Sequence, residues 1–141
     1  FTHLPEDMEL AWLSELQRVT RPGGHLLLTV VGRDYFMSVR EKRSAKSLTG
    51  RMKRLRMLLN PACMFDPRDR IWDPRAVEHF EQTGFYYLRG SGTTGLPGFY
   101  QGSFHTEQYI RKRWGALFDI VDVVGKGIGN CQDLVLCRRR G

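Results

Sequence analysis

Pro5-Glu6-Asp7-Met8-Glu9-Leu10-Ala11-Trp12-Leu13-Ser14-Glu15-Leu16-Gln17-Arg18-Val19-Thr20-Arg21-Pro22-Gly23-Gly24-His25-Leu26-Leu27-Leu28-Thr29-Val30-Val31 is the stretch on which the fold turns. Pro5 suits the first turn of a helix, where a missing N–H costs nothing. Glu6, Asp7 and Glu9 put negative charge near the positive end of that helix, and Arg18 and Arg21 put cations at the other. Trp12, Leu13, Leu16 and Val19 recur at helical steps and predict one buried stripe. Pro22 stops the helix, and Gly23-Gly24 permit the turn. His25–Val31 is then apolar without alternation, the pattern of a strand covered on both faces. Helix, Pro-Gly-Gly turn and buried strand form the second half of a βαβ unit. The strand that should lead into Phe1 has no counterpart, so the expectation is the back half of an α/β domain.

Outward from that stretch, 141 residues suffice for one domain with a core. An apolar share of 41% with 26% charged residues fits a globular rather than a disordered chain. No apolar run approaches the roughly 20 residues of a membrane span, and no leader peptide is visible. Cys63, Cys131 and Cys137 are odd in number and lack CxxC spacing, which argues against a disulfide framework or zinc site. Reduced thiols and a cytoplasmic location are expected. His3, His25, His79 and His105 are scattered without metal-ligand spacing, and no metal is expected.

The net charge of +7 lies in one place. Residues 33–70 hold 11 Lys/Arg against 4 Asp/Glu, and the rest of the chain balances. Such a stretch attracts phosphates, nucleic acid or an anionic membrane surface, although a solvated helical face is the ordinary reading. It lacks the interleaved aromatics that stack on single strands, which disfavours nucleic acid. Peripheral membrane contact through 33–70 stays open. Tyr35–Arg40 opens a helix, and Met52, Leu55, Leu58 and Leu59 mark a second, basic amphipathic one.

Asp73, Pro74 and Gly84 bracket a further helix whose apolar stripe is Ala76, Val77 and Phe80. Phe85–Leu88 reads as a strand. Thr106 caps a helix on which Tyr109, Ile110, Arg113, Trp114 and Leu117 share a face. Residues 118–124 and 132–137 read as strands of a hairpin, with 125–130 as its turn and Arg138-Arg139-Arg140 as an exposed tail. Gly90-Ser91-Gly92-Thr93-Thr94-Gly95 fits GxGxxG, but Leu96-Pro97-Gly98 breaks the helix that a dinucleotide site needs there. A mobile Gly/Thr loop is the expectation.

Phe1–Pro5, Trp12–Val19 and Arg21–Thr29 resemble the region after strand four of class I S-adenosylmethionine (SAM) dependent methyltransferases. Phe104–Ile110, Trp114, Phe118 and Gln132–Val135 are similar to that family's closing helix and antiparallel hairpin. The resemblance implies one partial domain over residues 1–141, with a basic helical and loop insert at about 33–104. Its fold would be α/β, the C-terminal part of a Rossmann-like doubly wound sheet with an antiparallel last strand, truncated at the N-terminus. The family's Gly-rich loop after strand one and acidic residue after strand two have no counterpart in this chain. The implied activity is transfer of a methyl group from SAM to a small-molecule acceptor.

Ligands of such sheets sit at the carboxyl ends of the parallel strands. Phe1, Thr2 and Leu4 would then line the cofactor, and Tyr100, His105, Tyr109, Gln132 and Asp133 the acceptor. Methyl transfer needs positioning, and a base only where the acceptor must lose a proton. His3 is the candidate base, since imidazole titrates near neutrality; packing on the cofactor or capping the helix is its alternative. His105 has helix entry as its alternative, Tyr109 core packing, Gln132 the hairpin backbone, and Asp133 an arginine. A non-enzymatic basic binding module for nucleic acid or anionic lipid is the rival reading, and an inactive fragment the third. A sheet edge left raw beside the first strand would favour self-association.

Overall fold

The computed structural model describes residues 1–44, 74–88 and 97–141. The basic helix expected around Met52–Leu59, the Asp73 cap, Cys63 and the Gly90–Gly95 loop lie outside the described residues. In chain order the elements are α1 (Glu6–Val19), β1 (His25–Gly32), α2 (Arg33–Ser44), α3 (Pro74–Thr83), β2 (Phe85–Tyr87), β3 (Ser103–His105), α4 (Glu107–Arg113), a short 3-10 turn (Trp114–Ala116), β4 (Phe118–Ile128) and β5 (Gln132–Arg139). The strands form one sheet in the order β2-β3-β1-β5-β4. β1 and β3 are parallel, and the other three pairings are antiparallel. The fold is mixed α/β, its sheet curled into a half-barrel.

α1 begins after Pro5, whose carbonyl accepts from Glu9 N at 2.9 Å. Its buried face is not the stripe expected. Leu13 is fully buried and Leu16 half-buried, but Trp12 and Val19 are 53% and 60% exposed. The place on the inner face is taken by Glu9, fully buried one turn before Leu13. β1 departs from expectation too. Val30, Val31 and Gly32 are buried, whereas His25 and Leu27 are exposed, so among the described residues only the far end of the strand is covered on both faces.

Two apolar clusters explain this. On one face Leu26, Leu28 and Val30 pack with Leu13, Ile110, Trp114, Phe118, Val135 and Cys137. On the other, Val31 meets Phe36 of α2, Phe80 of α3 and Phe104 of β3, and this second cluster reaches only the carboxyl end of β1.

β3 was not foreseen. It pairs with Val31 and Gly32 and so occupies part of the edge of β1 that was expected to be raw. The hairpin is longer than expected. β4 runs to Ile128, and the turn is Gly129-Asn130-Cys131, with Gly129 and Asn130 at φ +58° and +57°. Residues 125–127 are a bulged part of the strand rather than a loop. The bare Gly127 there lets Leu134 approach, since a Cβ would lie 2.7 Å from its Cδ1. Nor is the end of the chain a free tail. Arg138 and Arg139 belong to β5, Arg139 N donates to Gly24 O at 2.8 Å, and its guanidinium donates to Thr20 O. Arg140 pairs with Asp119 at 2.7 Å.

Among the described residues no helix is long and apolar enough to cross a membrane.

Candidate functional site

The segment before α1 is held by β3. Ser103 donates through N to Thr2 O at 3.0 Å and through Oγ to Phe1 O at 3.1 Å. The Phe1 ring lies 5.5 Å from that of Trp114. His3 follows, half-buried, with Nδ1 3.2 Å from Gln101 O and its ring stacked on Tyr100 at 4.2 Å and 18°. Residues 98 apart in sequence thus meet. Burial lowers the His3 pKa from its ordinary value, and the Gln101 carbonyl opposes this. Tyr100 is itself tied down, its N donating to Pro97 O at 2.8 Å, while Tyr87 Oη donates to Phe99 O at 2.6 Å.

His105 and Tyr109 lie inside. His105 is fully buried, with Nε2 2.6 Å from Glu9 Oε2. The other Glu9 oxygen accepts from Trp114 Nε1 at 2.8 Å. One carboxylate of α1 therefore gathers a side chain of β3 and one that follows α4, the arrangement that makes a buried carboxylate tolerable. His105 Nδ1 makes no hydrogen bond among the described residues. Tyr109 Oη donates to Glu6 Oε1 at 3.0 Å, and Arg113 reaches the same oxygen at 3.3 Å. Burial, and then the Glu9 and Glu6 carboxylates, hold the Tyr109 phenol well above its ordinary pKa. Thr106 caps α4 as expected, its Oγ1 accepting from Tyr109 N at 3.2 Å.

Gln132 and Asp133 form a third group at the start of β5. Gln132 closes the hairpin opposite Ile128. Asp133 Oδ1 accepts from Lys126 N at 2.8 Å, a backbone partner where an arginine was one expectation. Its other oxygen fills the space over Gly32, where a Cβ would lie 1.8 Å away. Lys126 Nζ reaches Asp34 Oδ2 at 3.4 Å. Among the described residues no hydrogen bond, ion pair or ring contact joins this group to His3. His3 and Tyr100 form one site, Glu9, His105 and Tyr109 a buried second, and Asp133 a third.

Sequence reading took Glu9 only as a helix-end charge and Trp114 only as a face residue, and passed over Ser103. A signal existed for the first: a carboxylate four residues before Leu13 and seven before Leu16 stands on the same helical face. Among the described residues no group of three or more His, Cys, Asp and Glu side chains could hold a metal ion.

As a cofactor surface, Phe1–Leu4 offers little polarity. The carbonyls of Phe1 and Thr2 are engaged by Ser103, and the Phe1 ring is engaged by Trp114. The described residues do not by themselves fit a SAM molecule. No protein-family model, curated protein or solved structure matches the chain.

Proposed function

We propose that this chain is the C-terminal part of a Rossmann-like, SAM-dependent methyltransferase domain that acts in the cytoplasm on a small-molecule acceptor. The observation that carries the reading is the strand arrangement. A helix and a Pro-Gly-Gly turn lead into β1, the last strand β5 lies antiparallel against β1, and β4 lies outside β5. The resemblance implies that layout for the closing strands. SAM would supply the methyl group. The chain's share is the acceptor end, with Phe1, Thr2 and Leu4 as a wall and His3 as the proton-accepting group. Tyr100 lies against His3, and Gln132 and Asp133 sit at the carboxyl end of β1. His105 and Tyr109 would act from beneath, by holding α1 and α4 in place.

The test has two steps. The reading frame immediately before Phe1 is expected to encode an apolar strand, a Gly-rich turn and a downstream acidic residue. Radiolabelled SAM should bind the protein translated from that whole frame and not residues 1–141 alone. A start codon directly before Phe1, or a whole protein that binds neither SAM nor S-adenosylhomocysteine, overturns the proposal.

A further inference from the structure

We infer that the loop at Tyr100-Gln101 holds His3 as the Nδ1–H tautomer, with Nε2 as a free proton acceptor. The ligand of this edge then presents an O–H or N–H group rather than a thioether or a tertiary amine. The ligand class rests on the reading of this edge as the acceptor end; the tautomer stands on geometry alone.

A backbone carbonyl can only accept a hydrogen bond, and a neutral imidazole donates from one ring nitrogen and accepts at the other. Nδ1 faces Gln101 O at 3.2 Å, so Nδ1 carries the proton and Nε2 the lone pair. Nε2 has no hydrogen-bond partner among the described residues. Nor is it sealed in, since the one enclosed side-chain polar atom without a partner there is His105 Nδ1.

The ring cannot turn freely. Tyr100 stacks on one face at 18°. The accepting carbonyl belongs to a turn closed by Gln101 N to Phe99 O at 2.9 Å and by Gln101 Nε2 to Gly98 O at 3.3 Å. The chain around His3 is fixed by Ser103 on Phe1 O and Thr2 O.

His105 has Nε2 on the Glu9 carboxylate and is walled in. His3 faces a neutral carbonyl. Burial disfavours the charged form of its ring. His3 therefore keeps Nε2 open to a ligand, whereas His105 has Nε2 on a carboxylate and Nδ1 enclosed. In the step it serves, the O–H or N–H bond of the ligand breaks and its proton passes to Nε2. The bonding pair stays on the ligand's oxygen or nitrogen, which becomes the nucleophile. The imidazolium so formed keeps its Nδ1–H on Gln101 O.

Histidine labelled with 15N in residues 1–141, with His3→Gln to assign the signals, reads the tautomer directly by two-bond 1H–15N correlation at neutral pH. Expected is a His3 protonated at Nδ1 and bare at Nε2, with Tyr100→Ala loosening that preference. An Nε2–H ring or an imidazolium at pH 7 overturns the inference. Diethyl pyrocarbonate, mapped by mass spectrometry, is the second probe. His3 should be acylated at least tenfold faster than His105, and equal or slower reaction overturns the free-acceptor claim. Neither readout depends on methyl transfer. Failure of SAM binding with the expected tautomer present would thus remove the proposed function and leave the base in place.

Discussion

Glu9 is as buried as Leu13, the apolar residue one turn on, and both of its oxygens are spent, on His105 Nε2 and Trp114 Nε1. Replacing one member of such a group strands the others, which in buried pairs costs about 3–5 kcal/mol. Glu9→Gln keeps the shape but turns an amide N–H₂ toward one of two donors. Its unfolding free energy in urea should fall by that amount and the midpoint with it, and a midpoint within error of the parent would refute the role given to Glu9. His3 gives a pH effect of definite sign. Its folded-state pKa is lowered below the ordinary 6.5, so between those two values the unfolded chain holds more protons. The His3 contribution is whole above pH 6.5 and is lost as pH falls toward the folded value. Thermal unfolding scanned from pH 7.5 to 5 should show a loss that His3→Gln reduces; identical slopes would count against it. The thiols differ as well. Burial pushes Cys137 up to about 11, so little thiolate exists at neutral pH, while Cys131 is half-exposed in the hairpin turn. Iodoacetamide at pH 7.5 should label Cys131 well before Cys137 by peptide mapping, and the reverse order would contradict the burial of β5.

Local chemistry made some elements readable and left others hidden. Gly84 ends α3 at φ +76°, and a Cβ there would lie 2.5 Å from Thr106 Oγ1 and 2.7 Å from Tyr109 Cβ. One glycine thus closes one helix and makes room for the cap of the next. Gly84→Ala should cost about 2 kcal/mol through the left-handed backbone and the crowding of that cap, seen as a lower Tm. A neutral result would mean that α3 and α4 do not meet there. Such glycines and the caps Pro5 and Thr106 act within a few residues, and that is why α1, α3 and α4 were legible. β3 was not. Ser103-Phe104-His105 is too short to carry a pattern, and its parallel partner, Val31-Gly32, lies some seventy residues back. The Gly125–Gly127 stretch looked like a turn because glycine serves bulges and turns alike. Leu134, which needs the space above Gly127, decides between them. The candidate site divides the same way. His3 could be picked by its chemistry, but its contact with Tyr100 and Gln101 is a product of the fold.

At the scale of the molecule the sheet has two unlike faces. Leu26, Leu28, Val135 and Cys137 turn toward α1 and α4. Leu27 sits opposite Leu136, and Thr29 opposite Leu134, which in turn lies opposite Val124, so these side chains share the other face. α2 and α3 cover that face only around Val31 and Phe104. Toward β4 it is open among the described residues, with Leu27 63% and Val124 47% exposed. The unbroken Leu26–Val31 run predicted cover on both sides along its whole length. A run of apolar residues states a need for cover; which part of the sheet receives it depends on where helices from distant segments land. An apolar face of this kind binds hydrophobic dyes and favours association between chains. Leu27→Lys places a charge at its centre, where a long side chain reaches water without unpacking a neighbour. That variant should bind markedly less anilinonaphthalene sulfonate and show a larger monomer fraction in sedimentation at the same concentration. Its stability should stay within about 1 kcal/mol of the parent, since the lost contact is largely exposed. Unchanged dye binding would mean that the face is covered in solution by residues outside the described set. A large loss of stability would mean that Leu27 is packed rather than open.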